Sequence, residues 1–251
     1  MEQTHLPGSY DPLLVAASFL IAVFASYAAL IIINRLRQSR VSNNWLWLGA
    51  IAYGLGVWAM NFTAMAALRL DMTVAYNPLL ALISAALAIL GAAASFRMVA
   101  RAHLGLAHIL GSGFFLAAGT DTTIYTSLLA MRLDAKMEFS PVLVGVSVLV
   151  AVALGTLGIW TLTNPTFQRL PLGHLVTATV TGLAIPFMHY TAMLAVRFTP
   201  TRGQEIHSMV ASGNLLSLNL FLLLAVAVVG LPIFLSSLFE GPGDPALEVD
   251  Q

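Results

Sequence analysis

The chain has 251 residues, 59% of them apolar and 9% charged, with eleven basic side chains against eleven acidic ones and a mean hydropathy of +0.87. Soluble domains carry about 25% charged residues, so this surface cannot face water on every side, and zero net charge leaves no polybasic face for nucleic acid. Cysteine is absent, which excludes disulfides, thiolate metal sites, thioether-attached haem and cysteine nucleophiles.

A bilayer core takes roughly 20 apolar residues per helix, and seven stretches meet that length. In chain order they lie near 13–34, 45–68, 78–97, 106–131, 141–163, 174–197 and 211–238. The expected fold is an all-α membrane protein with seven transmembrane helices over residues 1–240: three two-helix repeats plus one extra helix. The first stretch has no basic segment before it and is followed by Arg35, Arg37 and Arg40, the reverse of a signal peptide. By the positive-inside rule that loop is cytoplasmic, the N-terminus outside and the C-terminus cytoplasmic. Counted over all loops, basic residues divide almost evenly, six inside against five outside, so the orientation rests on the first loop. Residues 241–251 are polar with no apolar period, and are expected to form a disordered cytoplasmic tail.

An internal repeat runs through the apolar stretches. The second contains Gly54-Leu55, then Met60-Asn61-Phe62-Thr63-Ala64-Met65; the sixth contains Gly182-Leu183, then Met188-His189-Tyr190-Thr191-Ala192-Met193. The fourth has Thr123-Ile124-Tyr125-Thr126-Ser127-Leu128 at the corresponding place. Met60, Thr123 and Met188 are 63 and 65 residues apart, the length of two spans with short loops, so the motif returns in every second helix at one depth.

The hexapeptide Met188–Met193 resembles the signature of the MHYT-domain family of bacterial membrane proteins, and the likeness covers roughly residues 10–240. The resemblance implies seven spans, an inner-membrane location, motif repeats on the second, fourth and sixth helices near the outer face, and a sensory role. It also implies copper held by the repeated Met and His, with oxygen, carbon monoxide or nitric oxide as the sensed ligand. An output through cyclic-di-GMP or kinase proteins is implied as well. This chain departs from the signature at Asn61 and Phe62 in the first repeat and at Thr123, Ile124 and Leu128 in the second.

Residues four apart share a helix face, which pairs His189 with Met193, Asn61 with Met65, and Asp121 with Tyr125. An imidazole with thioethers suits copper, preferentially Cu(I), and the candidate ligands are His189, Met188, Met193, Met60 and Met65. His207 and Met209 follow as a ligand pair at the outer mouth. A carboxylate inside a span costs roughly 2.5–3.5 kcal/mol on insertion scales, so Asp121 is expected to face a partner. It would bond His189 or hold a harder ion, or else Asn61, Asp121, Tyr125, His189, Tyr190 and Thr191 would form a polar network with no metal.

Other chemistries find no footing. The lone lysine, Lys136, lies in a loop rather than in the last span, where a retinal Schiff base would need it. No phosphate-binding loop, H-E-x-x-H or serine elbow occurs, and an enzyme is not expected. Three readings remain: a stand-alone sensor-like module signalling through a partner, a small-solute carrier or channel using the polar lining around Asp121, and a structural membrane protein with a decayed site.

Overall fold

The computed structural model describes residues 9–38, 43–69, 74–100, 105–133, 135–168 and 172–200. The seventh expected span at 211–238, the tail at 241–251 and the His207–Met209 pair lie outside the described residues.

Three of the long helices begin on proline at the first turn, where the missing N–H would be unsatisfied in any case: α1 (Pro12–Gln38), α3 (Pro78–Val99) and α5 (Pro141–Thr163). Asp11 and Asn77 accept from the first free backbone N–H groups of α1 and α3, at 2.9 and 3.0 Å. Each of these helices is followed by one carrying the repeated motif: α2 (Asn43–Ala67), α4 (Leu106–Ala130) and, after the single turn α6 (Pro165–Gln168), α7 (Gly173–Met193). Among the described residues, α1, α2, α3 and α5 are each long and apolar enough to cross a membrane. The helices α4 and α7 have similar lengths but are less apolar, α4 carrying Asp121 among four threonines and α7 carrying two histidines and four threonines.

The helices pack in a ring, α1 on α2, α2 on α3, α3 on α4, α4 on α5, α5 on α7 and α7 back on α1. The motif helices α2, α4 and α7 alternate around the ring and also touch one another across its middle. Their position explains their burial: the most apolar stretch of α2 is 83% buried, that of α5 only 28%. Leu79, Leu82, Leu90, Val142, Val146 and Leu149 point outward from α3 and α5, as side chains facing lipid do.

The apolar runs outlast the helices. Helix ends expected at 68, 131 and 197 fall at Ala67, Ala130 and Met193, because the chain leaves each motif helix as a short strand. Strand β1 (Ser9–Tyr10) pairs antiparallel with β2 (Leu68–Arg69), β3 (Ala75–Tyr76) with β4 (Met131–Arg132), and β5 (Ala135–Phe139) with β6 (Val196–Pro200). Each ladder ties the start of one unit to its own end. The N–H groups of Asp11, Asn77 and Ser140 donate to the carbonyls of Ala67, Ala130 and Ala195 at 2.8–2.9 Å. Three units of one design follow: β1-α1-α2-β2, β3-α3-α4-β4 and β5-α5-α7-β6.

Units meet closely where a glycine removes a side chain. A Cβ on Gly54 would lie 2.7 Å from the Ile89 backbone, and one on Gly182 would lie 2.5 Å from the Val23 backbone. In α4 the corresponding residue is Ala117, and the close approach is made from the other side by Gly155 of α5.

Candidate functional site

The motif gives each of its positions a separate task. The central residues Asn61, Ile124 and His189 are fully buried in all three units. The next position is aromatic, and each ring packs on the aromatic that closes the leading strand of the following unit. Phe62 meets Tyr76 at 5.3 Å between centroids, Tyr125 meets Phe139 at 6.1 Å, and Tyr190 meets Tyr10 at 5.6 Å. These contacts close the ring in the order one to two, two to three, three to one. Burial and the neighbouring Tyr190 push the Tyr10 phenol above its ordinary pKa.

At the centre, His189 Nδ1 lies 2.8 Å from Asn61 Oδ1. The Asn61 amide donates its Nδ2–H to Met65 Sδ at 3.6 Å, so its carbonyl oxygen is the atom facing the imidazole. Nδ1 therefore carries the proton and donates, and Nε2 keeps the lone pair. Nε2 is buried and has no hydrogen-bond partner among the described residues. An orphaned acceptor of this kind calls for an explanation, and an imidazole nitrogen with a free lone pair is a ligand atom.

Thioethers line the adjoining core. Met65, Met188 and Met193 share one buried cluster with Ile124, Leu128 and Met131, and Met137 packs against it. Met60 belongs to a separate cluster beside Ile185 and Ala59, so the expected ligand set is divided, with three of its four methionines gathered together. Met131 and Met137 are not among the expected ligands; they stand just beyond the motif, on the strands at the motif end of the bundle. Imidazole and thioether donors fit a soft ion. No group of three or more His, Asp or Glu side chains suited to a metal occurs among the described residues.

The expected polar residues do not assemble into one network among the described bonds. Tyr125 OH sits 2.6 Å from Ser147 Oγ on α5, while Tyr190 stacks on Phe19 of α1 at 6.1 Å. The Thr191 hydroxyl donates to Phe187 O of its own helix at 2.7 Å. Asp121 is buried, and its Oδ1 has no partner among the described residues; His189 Nδ1 is bonded to Asn61 in its place. An i, i+4 spacing gives a shared face but not the neighbour that face meets, which is why the partner of His189 is not evident from the chain.

The family model for MHYT, described as a bacterial signalling protein N-terminal repeat, matches residues 3–42, 54–112, 122–174 and 182–242. The chain belongs to the MHYT family. Three of the four MHYT segments begin on the motif helices, at 54, 122 and 182. Among proteins sharing the MHYT region, the chain is 32% identical over 77% of its length to the bifunctional diguanylate cyclase/cyclic di-GMP phosphodiesterase MucR of Pseudomonas aeruginosa, covering 29% of that protein. It is 29% identical over 82% of its length to the cyclic di-GMP phosphodiesterase NbdA of the same organism, covering 27% of it. Signaling protein YkoW of Bacillus subtilis is 29% identical over 76% of the chain and is covered to 24%. The chain thus spans less than a third of the length of these relatives. No solved structure matches it.

Proposed function

We propose that this MHYT chain is a membrane-embedded sensor module. It binds a soft metal ion, copper(I), at His189 and the neighbouring thioethers, and passes the bound state to an output partner. The observation that carries this reading is the His189 side chain itself, fully buried, anchored through Nδ1 to Asn61, which also bonds Met65 Sδ, and with Nε2 lacking a hydrogen-bond partner among the described residues. Met65, Met188 and Met193 are the thioethers best placed by their common cluster to complete the shell; Met60 stands apart in its own. A copper(I) ion held there would supply a soft Lewis-acid centre able to take oxygen, carbon monoxide or nitric oxide. The chain's own residues would set the imidazole's orientation and keep water from the site.

In this reading seven spans cross a bacterial inner membrane with the N-terminus and the motif ends outside. The relatives named for cyclic-di-GMP synthesis and hydrolysis suggest a cyclic-di-GMP enzyme as the partner that carries the signal on the inner side. Copper titration of the purified chain under reducing conditions tests the proposal. Stoichiometric copper in the wild type, lost in His189→Ala, is the expected result. A wild-type chain that takes up no copper under those conditions sinks it.

A further inference from the structure

The three units allow a position-by-position comparison of what each motif helix presents to the next unit. Two residues before the motif, α2 carries Trp58, α4 carries Asp121 and α7 carries Pro186. Trp58 Nε1 donates across to α3, to Ala81 O at 2.9 Å and Ser84 Oγ at 3.1 Å. The same pair of acceptors recurs on α5. Ser84 and Ser147 each lie six residues after the leading proline of their helix, and each donates one turn back, to Ala81 O at 2.7 Å and Val144 O at 2.8 Å. So α5 carries the same carbonyl and hydroxyl as α3, while the motif helix before it, α4, carries a carboxyl at the position where α2 carries an indole N–H.

Asp121 is 6% exposed, and its Oδ1 is buried with no partner among the described residues. Tyr125, one turn further along the same face, reaches Ser147 Oγ at 2.6 Å. An ionised carboxylate offers only acceptors, whereas a protonated one also offers an O–H donor. Only the protonated form can do at this place what Trp58 does in the first unit. A buried carboxylate with no cation paired to it is strongly disfavoured.

We propose that the seam between α4 and α5 is a proton-binding site, in which Asp121 holds the proton beside Tyr125 and Ser147. Nothing else in the described surroundings competes for that charge. The helix α5 has no titratable side chain, and Tyr125 is the titratable neighbour on the same face of α4. His189 of α7 is engaged by Asn61, and Lys136 and Glu138 of β5 pair with each other at 3.1 Å. The charged residue of α3, Arg97, stands in its last turn, at the end of the bundle opposite the strands, while Arg132 lies on β4 outside the helices. Loss of the proton to water converts the Asp121 carboxyl to carboxylate, removes the donor and sets like partial charges face to face, loosening α4 from α5. Because α4 also touches α2 and α7, the change reaches the helices that hold Asn61 and His189.

Infrared difference spectroscopy on the full chain reconstituted in liposomes tests this. The wild type should show the C=O stretch of a protonated carboxyl at neutral pH, shifted in D2O, unchanged when NaCl is replaced by choline chloride, and missing in Asp121→Asn. That variant keeps a neutral donor. If it fails to fold, Asp121→Glu serves instead and should move the band rather than remove it. A wild type with no such band, a band retained in Asp121→Asn, or one unmoved in Asp121→Glu overturns the proposal. A band that appears only after sodium is withdrawn also overturns it, by showing that an alkali cation occupies the seam.

Discussion

His189 and Asn61 stand at the same motif position of two different units, and their side chains meet across the bundle, imidazole Nδ1 to amide Oδ1, at 2.8 Å. The residue that departs from the family's histidine thus orients the one that keeps it. Leucine at position 61 would leave a buried N–H without its acceptor, a loss of about 1–3 kcal/mol. In Asn61→Leu the 15N resonances of His189 should report a mixture of imidazole tautomers. Asn61→Asp, which keeps an acceptor oxygen, should preserve the Nδ1-protonated form. A single unchanged tautomer in Asn61→Leu would show that Asn61 does not position the ring.

Gly182 has no room for a methyl group, since its Cβ would lie 2.5 Å from the backbone of Val23. Gly182→Ala should separate α7 from α1 and destabilise the chain by about 1–3 kcal/mol. A methyl carbon added at Gly145 of α5 would meet nothing within 4 Å, so Gly145→Ala should be neutral or slightly stabilising. Thermal unfolding of both variants in one detergent makes the comparison, and equal melting temperatures would contradict it.

The rings of Phe62 and Tyr76 lie edge to face at 5.3 Å and link the first unit to the second. A double-mutant cycle with Phe62→Leu and Tyr76→Leu should return a coupling of about 0.5–1.5 kcal/mol. Additive losses within error would mean that the two rings are only near one another.

Asp11 accepts a hydrogen bond from Arg69, which with the α1 backbone N–H groups holds its carboxyl below the ordinary carboxylate range. A folded-state pKa that is depressed contributes stability above the unfolded value and loses it as pH falls through the folded one. The melting temperature should therefore drop as acid is added below the usual aspartate range, and Asp11→Asn should flatten that part of the profile. An identical acid profile in the variant would exclude the ion pair as its source.

The motif helices are legible in the chain because chemically unusual side chains return at one depth every two spans. The family, and the burial of His189, Met65, Met188 and Met193, follow from that pattern. The strands are not legible. Two-residue ladders such as Leu68–Arg69 have no alternation to detect, and their apolar residues simply prolong the hydropathy of the helix before them. A second, fainter signature marks the start of each unit: Tyr10-Asp11-Pro12, Tyr76-Asn77-Pro78 and Phe139-Ser140-Pro141, each followed six residues after the proline by Ser18, Ser84 or Ser147. On its own such a proline reads as loop punctuation, which hides the aromatic and the helix cap beside it. Asp121 is recognisable as costly, but its neighbour is not, since helical phase says nothing about which helix stands opposite.

The aromatic contacts run from each unit to the next and from the third back to the first, so the ring has no privileged beginning. A chain opened between the first and second units and read in the order two, three, one would present the same set of neighbours to every helix. Equally, one such unit assembling as a symmetric trimer would make each kind of contact seen here. Duplication and fusion of such a unit would then free its copies to diverge, with an imidazole kept in one, an amide in another and a carboxyl gained in the third.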